Sequence, residues 1–391
     1  MSVENDALEL HRRLKGKIEV EPKIKATTRN MSLIYTPGVA EVSRSIHKNP
    51  EEAYELTSKW NTIAIVCDGT RVLGLGDIGP LGALAVMEGK SLLFKHFADV
   101  NAVPVCIEKS SAQEIIALVK KMSPTFGGIN IEDIESPKCF DVERTLSKEL
   151  EMPVFHDDQN GTGIVVLAAL INSMKIVGKD IKDSKIVIAG AGAAGVGIAR
   201  ILHECGAERV YVADSRGLIS REREDLNKYK MEIAEITNPE GVGGGLEGVL
   251  KDSDVFIGVT GTENCIKKGH IKSMAENAVV FPLTNPNPEI MPAEAFAAGA
   301  RVVGTGRSDY PNQINNSLLF PGMFRGALDV RAHGLNHAVY IAAAEALAKL
   351  VTAKELEKGT IIPHIMDKRV VPAVASAVKK TCMECGLAAK F

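Results

Sequence analysis

Long apolar runs are missing from this sequence. The longest, residues 164–171, has eight, against about 20 for a helical membrane span. An excess of one charge is missing too. The chain carries 46 Lys+Arg and 49 Asp+Glu, a formal net charge of −3, and no basic cluster that would make nucleic acid its main partner. The amino terminus, Met-Ser-Val-Glu-Asn-Asp, is acidic and polar, which fits neither a secretory signal nor a basic transit peptide. Internal repeats and low-complexity tracts do not occur. Cysteine supplies no disulfide framework: the seven residues are an odd number, mostly inside apolar segments where a free thiol packs as a small hydrophobe. Only Cys382-Met-Glu-Cys385 has ligand or redox spacing, and with no further ligands nearby it reads as incidental thiols near a surface tail. The 45% hydrophobic and 24% charged composition is that of a globular chain and excludes disorder. A cytoplasmic protein of two or three domains is expected, at roughly 150 residues per domain.

Apolar segments alternate with helical patterns, which predicts an α/β fold with largely parallel sheets. Strands are expected at 62–67, 103–107, 128–131 and 153–155, with helical spacing at 84–97, 112–122 and 142–150. A long apolar helix is expected at 162–177. A second strand series follows at 185–189, 209–213, 255–259, 278–281 and 301–304, and an Ala-rich helix at 338–351. These patterns divide the chain into an α/β substrate and metal domain over 1–157 and a Rossmann-type, doubly wound parallel sheet over 158–315. Helices over 316–391 are expected to pack back on the first domain.

The pattern G-x-G-x-x-G occurs twice. Gly190-Ala-Gly192-Ala193-Ala194-Gly195 directly follows a strand pattern and opens a helix, so it fits a dinucleotide-binding turn. Gly190 would permit the tight turn, Gly192 the approach of a pyrophosphate, and Gly195 helix–strand contact. Asp214 ends the next strand, 19 residues after Gly195, where a carboxylate takes ribose hydroxyls. Asp214 favours NAD, whereas Arg216 could pair with the 2′-phosphate of NADP; the balance leans slightly to NAD. The other copy, Gly74-Leu-Gly76-Asp77-Ile-Gly79, would put a carboxylate among phosphates and is followed by Pro80. It reads instead as a loop that brings Arg71 to a small anionic ligand.

Two acidic pairs, Glu132-Asp133 and Asp157-Asp158, each follow a predicted strand. Strand neighbours face opposite ways, but where the chain turns at a carboxyl end both can face one ligand. Convergence of the four carboxylates would require a cation, and oxygen-only ligands point to Mg²⁺ or Mn²⁺. Two solvated acidic turns are the alternative.

At this point the sequence resembles the malic enzymes, the oxidative decarboxylases of L-malate. The resemblance rests on Tyr35-Thr-Pro-Gly-Val-Ala40, Arg71-Val-Leu-Gly-Leu-Gly-Asp77, Met87-Glu-Gly-Lys90, Ile131-Glu-Asp-Ile134, Phe155-His-Asp-Asp-Gln-Asn-Gly-Thr162, the Gly190 turn, Thr284-Asn-Pro286, Thr305-Gly-Arg-Ser-Asp-Tyr-Pro311 and Asn315-Asn316 before Phe320-Pro-Gly322. Its length is similar to the compact prokaryotic type, without the added segments of larger forms. The resemblance implies Glu132, Asp133 and Asp158 as metal ligands, Lys90 as base and Tyr35 as acid, with Asp157 beside the lysine. It implies Arg71, Asn285 and Asn316 as malate-holding groups, with Asn285 also at the cofactor. It also implies NAD or NADP, Mg²⁺ or Mn²⁺, and a homodimer in which Tyr35 or Lys90 acts across the interface. Asn160 and Phe-Pro-Gly depart from residues frequent in compact relatives. Taken alone, Lys90 could merely snorkel to water, and Tyr35, Asn285 and Asn316 could be turn residues.

The chemistry implied is loss of the C2 hydroxyl proton as hydride leaves C2, then decarboxylation and protonation at C3. Lys90 as base would need a lowered pKa. A malolactic conversion of malate to lactate with retained NAD, or a non-catalytic nicotinamide-nucleotide-binding protein, are the alternatives. A simple hydroxy-acid dehydrogenase would need a His–Asp pair, and none stands out.

Overall fold

Two mainly parallel sheets carry the chain in the computed structural model, which describes residues 3–72 and 74–389. The first sheet holds β1 (Thr62–Cys67), β2 (Asn101–Cys106), β3 (Gly128–Ile131) and β4 (Val154–His156) in the order β2-β1-β3-β4, all parallel. Every residue of β1 is buried, as expected for a continuous apolar strand covered on both faces. The second sheet holds β5 (Lys185–Ala189), β6 (Arg209–Asp214), β7 (Gly217–Leu218), β8 (Val255–Gly258), β9 (Val279–Pro282) and β10 (Val302–Val303). Its order is β10-β9-β8-β5-β6-β7, with only the short β7 antiparallel. Along β5 the side chains alternate between two cores: Ile186 and Ile188 join the large one shared with the first sheet, while Val187 and Ala189 pack on the opposite face.

Helix starts lie further upstream than the apolar spacing indicates. The helix expected at 84–97 is Gly79–Ala98, and that expected at 142–150 is Lys138–Glu149. In both cases a proline lies at the start, where its missing N–H costs the helix nothing. Residues 157–177 form a π-turn (Asp157–Gly161) running into the Thr162–Val177 helix. By length and a mean hydropathy of 1.4 this segment could cross a membrane, but 72% of it is buried inside the protein, as a core helix. It packs on the helices Ala193–Glu204 and His337–Lys349. Near the end of the chain, Phe320–Asp329 packs against both Gly79–Ala98 and Val370–Glu384. The Val370–Glu384 helix places Cys382 in the core, with Cys385 just beyond it and exposed; all seven cysteines are free thiols.

The amino-terminal segment differs. Its helices Met31–Ile34, Val39–Lys48 and Ala53–Leu56 bury none of their residues.

Candidate active site

Both sheets reverse direction of winding beside their first strand, β1/β3 in one and β5/β8 in the other. Ligands bind at such switch points, at the carboxyl ends of the strands. Here the two ends face one cavity of about 620 Å³. One wall carries Arg71 from the loop after β1, Glu132 and Asp133 after β3, and Asp158 after β4. The opposite wall is Gly192, Ala193 and Ala194, with Val259 after β8. Lys90 and Asn316 close it from the helical side.

Lys90 is the hub of the acidic wall. Its Nζ lies 2.6 Å from Asp157 Oδ2 and 2.9 Å from Glu132 Oε2, and sits 4.9 Å from the centre of the Phe320 ring. Asn316 Nδ2 donates to the same Asp157 oxygen at 2.8 Å, fixing that carboxylate from the other side. The expected lowering of the lysine pKa is not found. Burial acts in that direction, but Asp157, Glu132 and Asp158 outweigh it and hold the ammonium well above its usual range. Burial drives Glu132 well above the usual carboxylate range despite Lys90, with Asp158 and Asp157 adding to the rise; Asp157 is raised by burial likewise.

Glu132, Asp133 and Asp158 offer carboxylate oxygens within 4.8 Å of one another. Asp133 adopts left-handed backbone, φ +49°, immediately after the strand. This turn breaks the alternation that would otherwise send Glu132 and Asp133 to opposite faces. Asp158 Oδ2 accepts the Asp133 amide at 2.9 Å, and Asn130 Nδ2 donates to Glu132 Oε2 at 3.0 Å. Three hard oxygen donors held at this separation, with Lys90 paired to Glu132 and Asp157, fit a Mg²⁺- or Mn²⁺-sized cation. His156 is fully buried, its Nε2 3.7 Å from Asp158 Oδ2, beyond hydrogen-bond length.

The dinucleotide turn lies at the end of β5. Gly190 has φ +113°, and a methyl group on Gly195 would sit 1.8 Å from the Gly190 carbonyl oxygen. Only glycine lets the helix start that close to the strand. A second cavity of about 520 Å³ continues from this turn past Asp214, Ser215 and Lys230. Arg71 borders both cavities.

Asp214 is not free there. Oδ1 accepts from the Arg216 amide (2.9 Å) and Arg223 Nη1 (2.8 Å), and Oδ2 from Arg223 Nη2 (3.2 Å) and Lys230 Nζ (2.6 Å). Partial burial would raise its pKa, but these donors outweigh it and hold the carboxyl down at about 2. Arg216 turns its guanidinium to Asp225 at 2.9 Å and stays largely exposed.

Two expected residues are not brought to the cavity. Tyr35 is 67% exposed on the amino-terminal segment. Asn285 lines a separate shallow cleft with Gly74, Leu75 and Arg307, its Nδ2 3.4 Å from the Gly306 carbonyl oxygen. The loop after β1 does carry Arg71, Gly76 and Asp77 to the cavity, with Asp77 paired to Lys109 at 2.7 Å; Leu73 of that motif lies outside the described residues. Asp99, which matches ribose spacing in the first glycine copy, instead caps the far end of the Gly79–Ala98 helix beside Lys95. Sequence reading missed Phe320 under Lys90, and Lys230 and Arg223 around Asp214. Only Phe320 had a local signal, its closeness to Asn316; the two cations carry none.

Known proteins share the sequence and fold of this chain. The family description "Malic enzyme, N-terminal domain" matches residues 15–115, and "Malic enzyme, NAD binding domain" matches 159–383. The chain is 49% identical over 390 residues to the bifunctional malic/malolactic enzyme of Bacillus subtilis (strain 168), covering 99% of this chain and 95% of that one. It is 43% identical to the NADP-dependent malic enzyme of Halomonas elongata, covering 98% and 94%. Among solved structures it is similar to the NAD-dependent malic enzyme from Thermotoga maritima, with TM-score 0.92, 48% identity and coverage of 96% and 99%.

Proposed function

This chain belongs to the malic enzyme family, and from that premise we infer that its cavity converts L-malate to pyruvate and CO₂ as NAD(P)⁺ is reduced. The observation that carries the reading is the meeting of Lys90 and the Glu132–Asp133–Asp158 cluster with the Gly192–Ala194 turn across one cavity.

Glu132, Asp133 and Asp158 would hold the divalent cation. When bound, such a cation supplies Lewis-acid polarisation at C2 and a sink for the charge left by CO₂. Arg71 binds a malate carboxylate by charge-assisted hydrogen bonds. Lys90 removes the proton from the C2 hydroxyl as hydride departs. Asp157 holds the Lys90 ammonium in place, and Asn316 holds Asp157. Glu132 and Asp158, once engaged as ligands, no longer lend their full charge to Lys90, which eases release of its proton.

Tyr35 is the proposed acid at C3, and in one chain it stands in solvent. A homodimer in which each copy lends Tyr35 to the other accounts for this. Support comes from the amino-terminal helices, which bury nothing, and from Met31 and Leu33, which are exposed beside Tyr35. Asn285 would reach substrate or cofactor only by movement of the cleft it lines.

The test is L-malate oxidation followed by nicotinamide absorbance, with NAD or NADP, with Mn²⁺ or after chelation, and with the product identified. Pyruvate with free NAD(P)H supports the reading, and loss of turnover on chelation supports the cation. Lactate without net reduction would replace it by a malolactic reading, one of the two activities in the name of the Bacillus subtilis relative.

A further inference from the structure

Arg71 owes its place at the cavity to the hydrogen bonds of the loop that carries it. Asp68, at the start of that loop, is fully buried, and its Oδ1 accepts from the Thr70 amide at 3.2 Å and the Thr70 hydroxyl at 2.6 Å. These bonds close a local turn just before Arg71. The Thr70 hydroxyl oxygen in turn accepts the Glu135 amide at 2.9 Å, and the Arg71 amide donates to the Asp133 carbonyl oxygen at 3.2 Å. The loop after β1 is thereby laid against the loop after β3, the one carrying Arg71 and the other Glu132 and Asp133.

The second oxygen of Asp68 faces a cation from outside its loop. Lys138, the first residue of the Lys138–Glu149 helix, pairs its Nζ with Asp68 Oδ2 and donates to the Ser110 carbonyl oxygen at 3.0 Å. Its side chain is only 14% exposed. One ammonium therefore ties together the loops after β1, β2 and β3, at the end of the sheet that faces the cavity. Neither Lys138 nor Asp68 lines that cavity, so the pair acts on its contents only through Arg71 and Asp133. A buried ion pair is a weak source of net stability, and fixing register is its best-attested use.

We propose that Lys138 is a positioning residue of the substrate half: by holding Asp68 it keeps Arg71 in register with Asp133, and so joins the group that grips malate to the turn that grips the cation. The inference rests on the malate and cation reading above and adds a residue to it.

The test combines malate kinetics with two binding measurements. Lys138→Met should raise the KM for malate about tenfold, the weight of one charge-assisted contact, with kcat within about twofold of the parent. Mn²⁺ affinity, followed by electron paramagnetic resonance without malate or dinucleotide, should weaken about threefold, less than for a residue bonded directly to a ligand. Calorimetric affinity for NAD and NADP should stay at the parent value and report an intact fold. Because Lys138→Met strands the Asp68 charge, the double variant Asp68→Asn/Lys138→Met is measured beside it. There the Asn carbonyl oxygen keeps the Thr70 contacts, and the KM rise should persist with a melting temperature near the parent's. Lys138→Arg, which keeps a cation for Asp68, should recover most of the malate affinity. A parental KM in the double variant would overturn the proposal. Equal loss of malate, Mn²⁺ and dinucleotide affinity in both variants lacking Lys138 would overturn it too, making Lys138 a structural counter-ion only. If the parent does not turn over malate, the functional reading fails by itself and Mn²⁺ affinity alone judges the strap. Weakening in the double variant then sustains the link to Asp133, and no change removes it.

Discussion

The two sheets solve the same problem with different parts. Each presents a switch point to the shared cavity, but the nucleotide half does so with backbone and the substrate half with charge. At β5 the working groups are amides and the near-contact of Gly195 with the Gly190 carbonyl. At β1, β3 and β4 they are four carboxylates and an arginine from the turns that follow the strands, met by a lysine from the Gly79–Ala98 helix. The backbone site leaves no room for an added atom at Gly190 or Gly195 and is indifferent to protonation. The charged site tolerates shape changes but depends on every countercharge.

Removing the hub of the charged half gives the largest expected effect. Lys90→Ala should lower malate oxidation by about 10³-fold, within the usual span for a lost acid–base group. Glu132 and Asp157 would then lie buried without a countercharge, so dinucleotide binding is the control that separates lost chemistry from lost fold. Near-normal oxidation would remove Lys90 from its role. Next comes Asp158→Asn, for which turnover should fall about 10²-fold and the Mn²⁺ titration should shift to higher concentration. An unchanged titration would show that Asp158 is not a ligand.

Mixing inactive variants asks whether the charged half is complete in one chain. Tyr35→Phe and Lys90→Ala, each impaired alone, should regain about a quarter of parent turnover when re-associated as mixed dimers, since half of the dimers carry one intact site. No recovery would confine both residues to the same chain.

The backbone half has the smaller, steric effects. Gly195→Ala should lose about 2 kcal/mol of stability in denaturant titrations, because its methyl meets a carbonyl oxygen that cannot retreat. Dinucleotide affinity should weaken with it, while Mn²⁺ affinity stays. The smallest effect belongs to Asp214. Its folded pKa of about 2 lies below the unfolded value of about 3.9. The unfolded chain therefore takes up the proton first, and the stability Asp214 provides is present above pH ~4 and lost as pH falls toward 2. After allowance for solvent screening this is about 1 kcal/mol. The stability gap between the parent and Asp214→Asn should close over that window; a gap constant with pH would contradict the ion pairing.

The same contrast explains what could be read in advance. Backbone sites write themselves into local sequence, because glycine is required at fixed offsets after a strand. Gly190, Gly192 and Gly195 were legible for that reason, as were β1, β3 and β5 with their uninterrupted apolar runs. Charged sites do not. Glu132 and Asp158 are separated by a helix and a strand, and Lys90 by far more, so no periodicity reports their approach. The acidic pairs stood out as strand-end candidates with solvated turns as the alternative, and family resemblance selected the ligands among them and added Lys90. Lys230 had neither signal: it lies 16 residues beyond Asp214, and only the fold turns it back. Tyr35 was legible as a motif, but its exposed place on the amino-terminal segment, away from the cavity of its own chain, was not, because no local pattern reports which surface a turn residue faces.

Among the contacts that join the two halves, one is a close backbone crossing. A methyl on Gly197, one turn into the nucleotide helix, would sit 2.0 Å from the carbonyl oxygen of Gln159, the neighbour of Asp158. The nearest groups there are the main-chain carbonyl and the Cγ methylene of Gln159 itself. The spacing from the ligand turn to the nicotinamide side of the cavity is therefore gauged by this contact, much as a shim sets a spark gap. A side chain at position 197 would therefore drive the Asp157–Gly161 turn and the nucleotide helix apart.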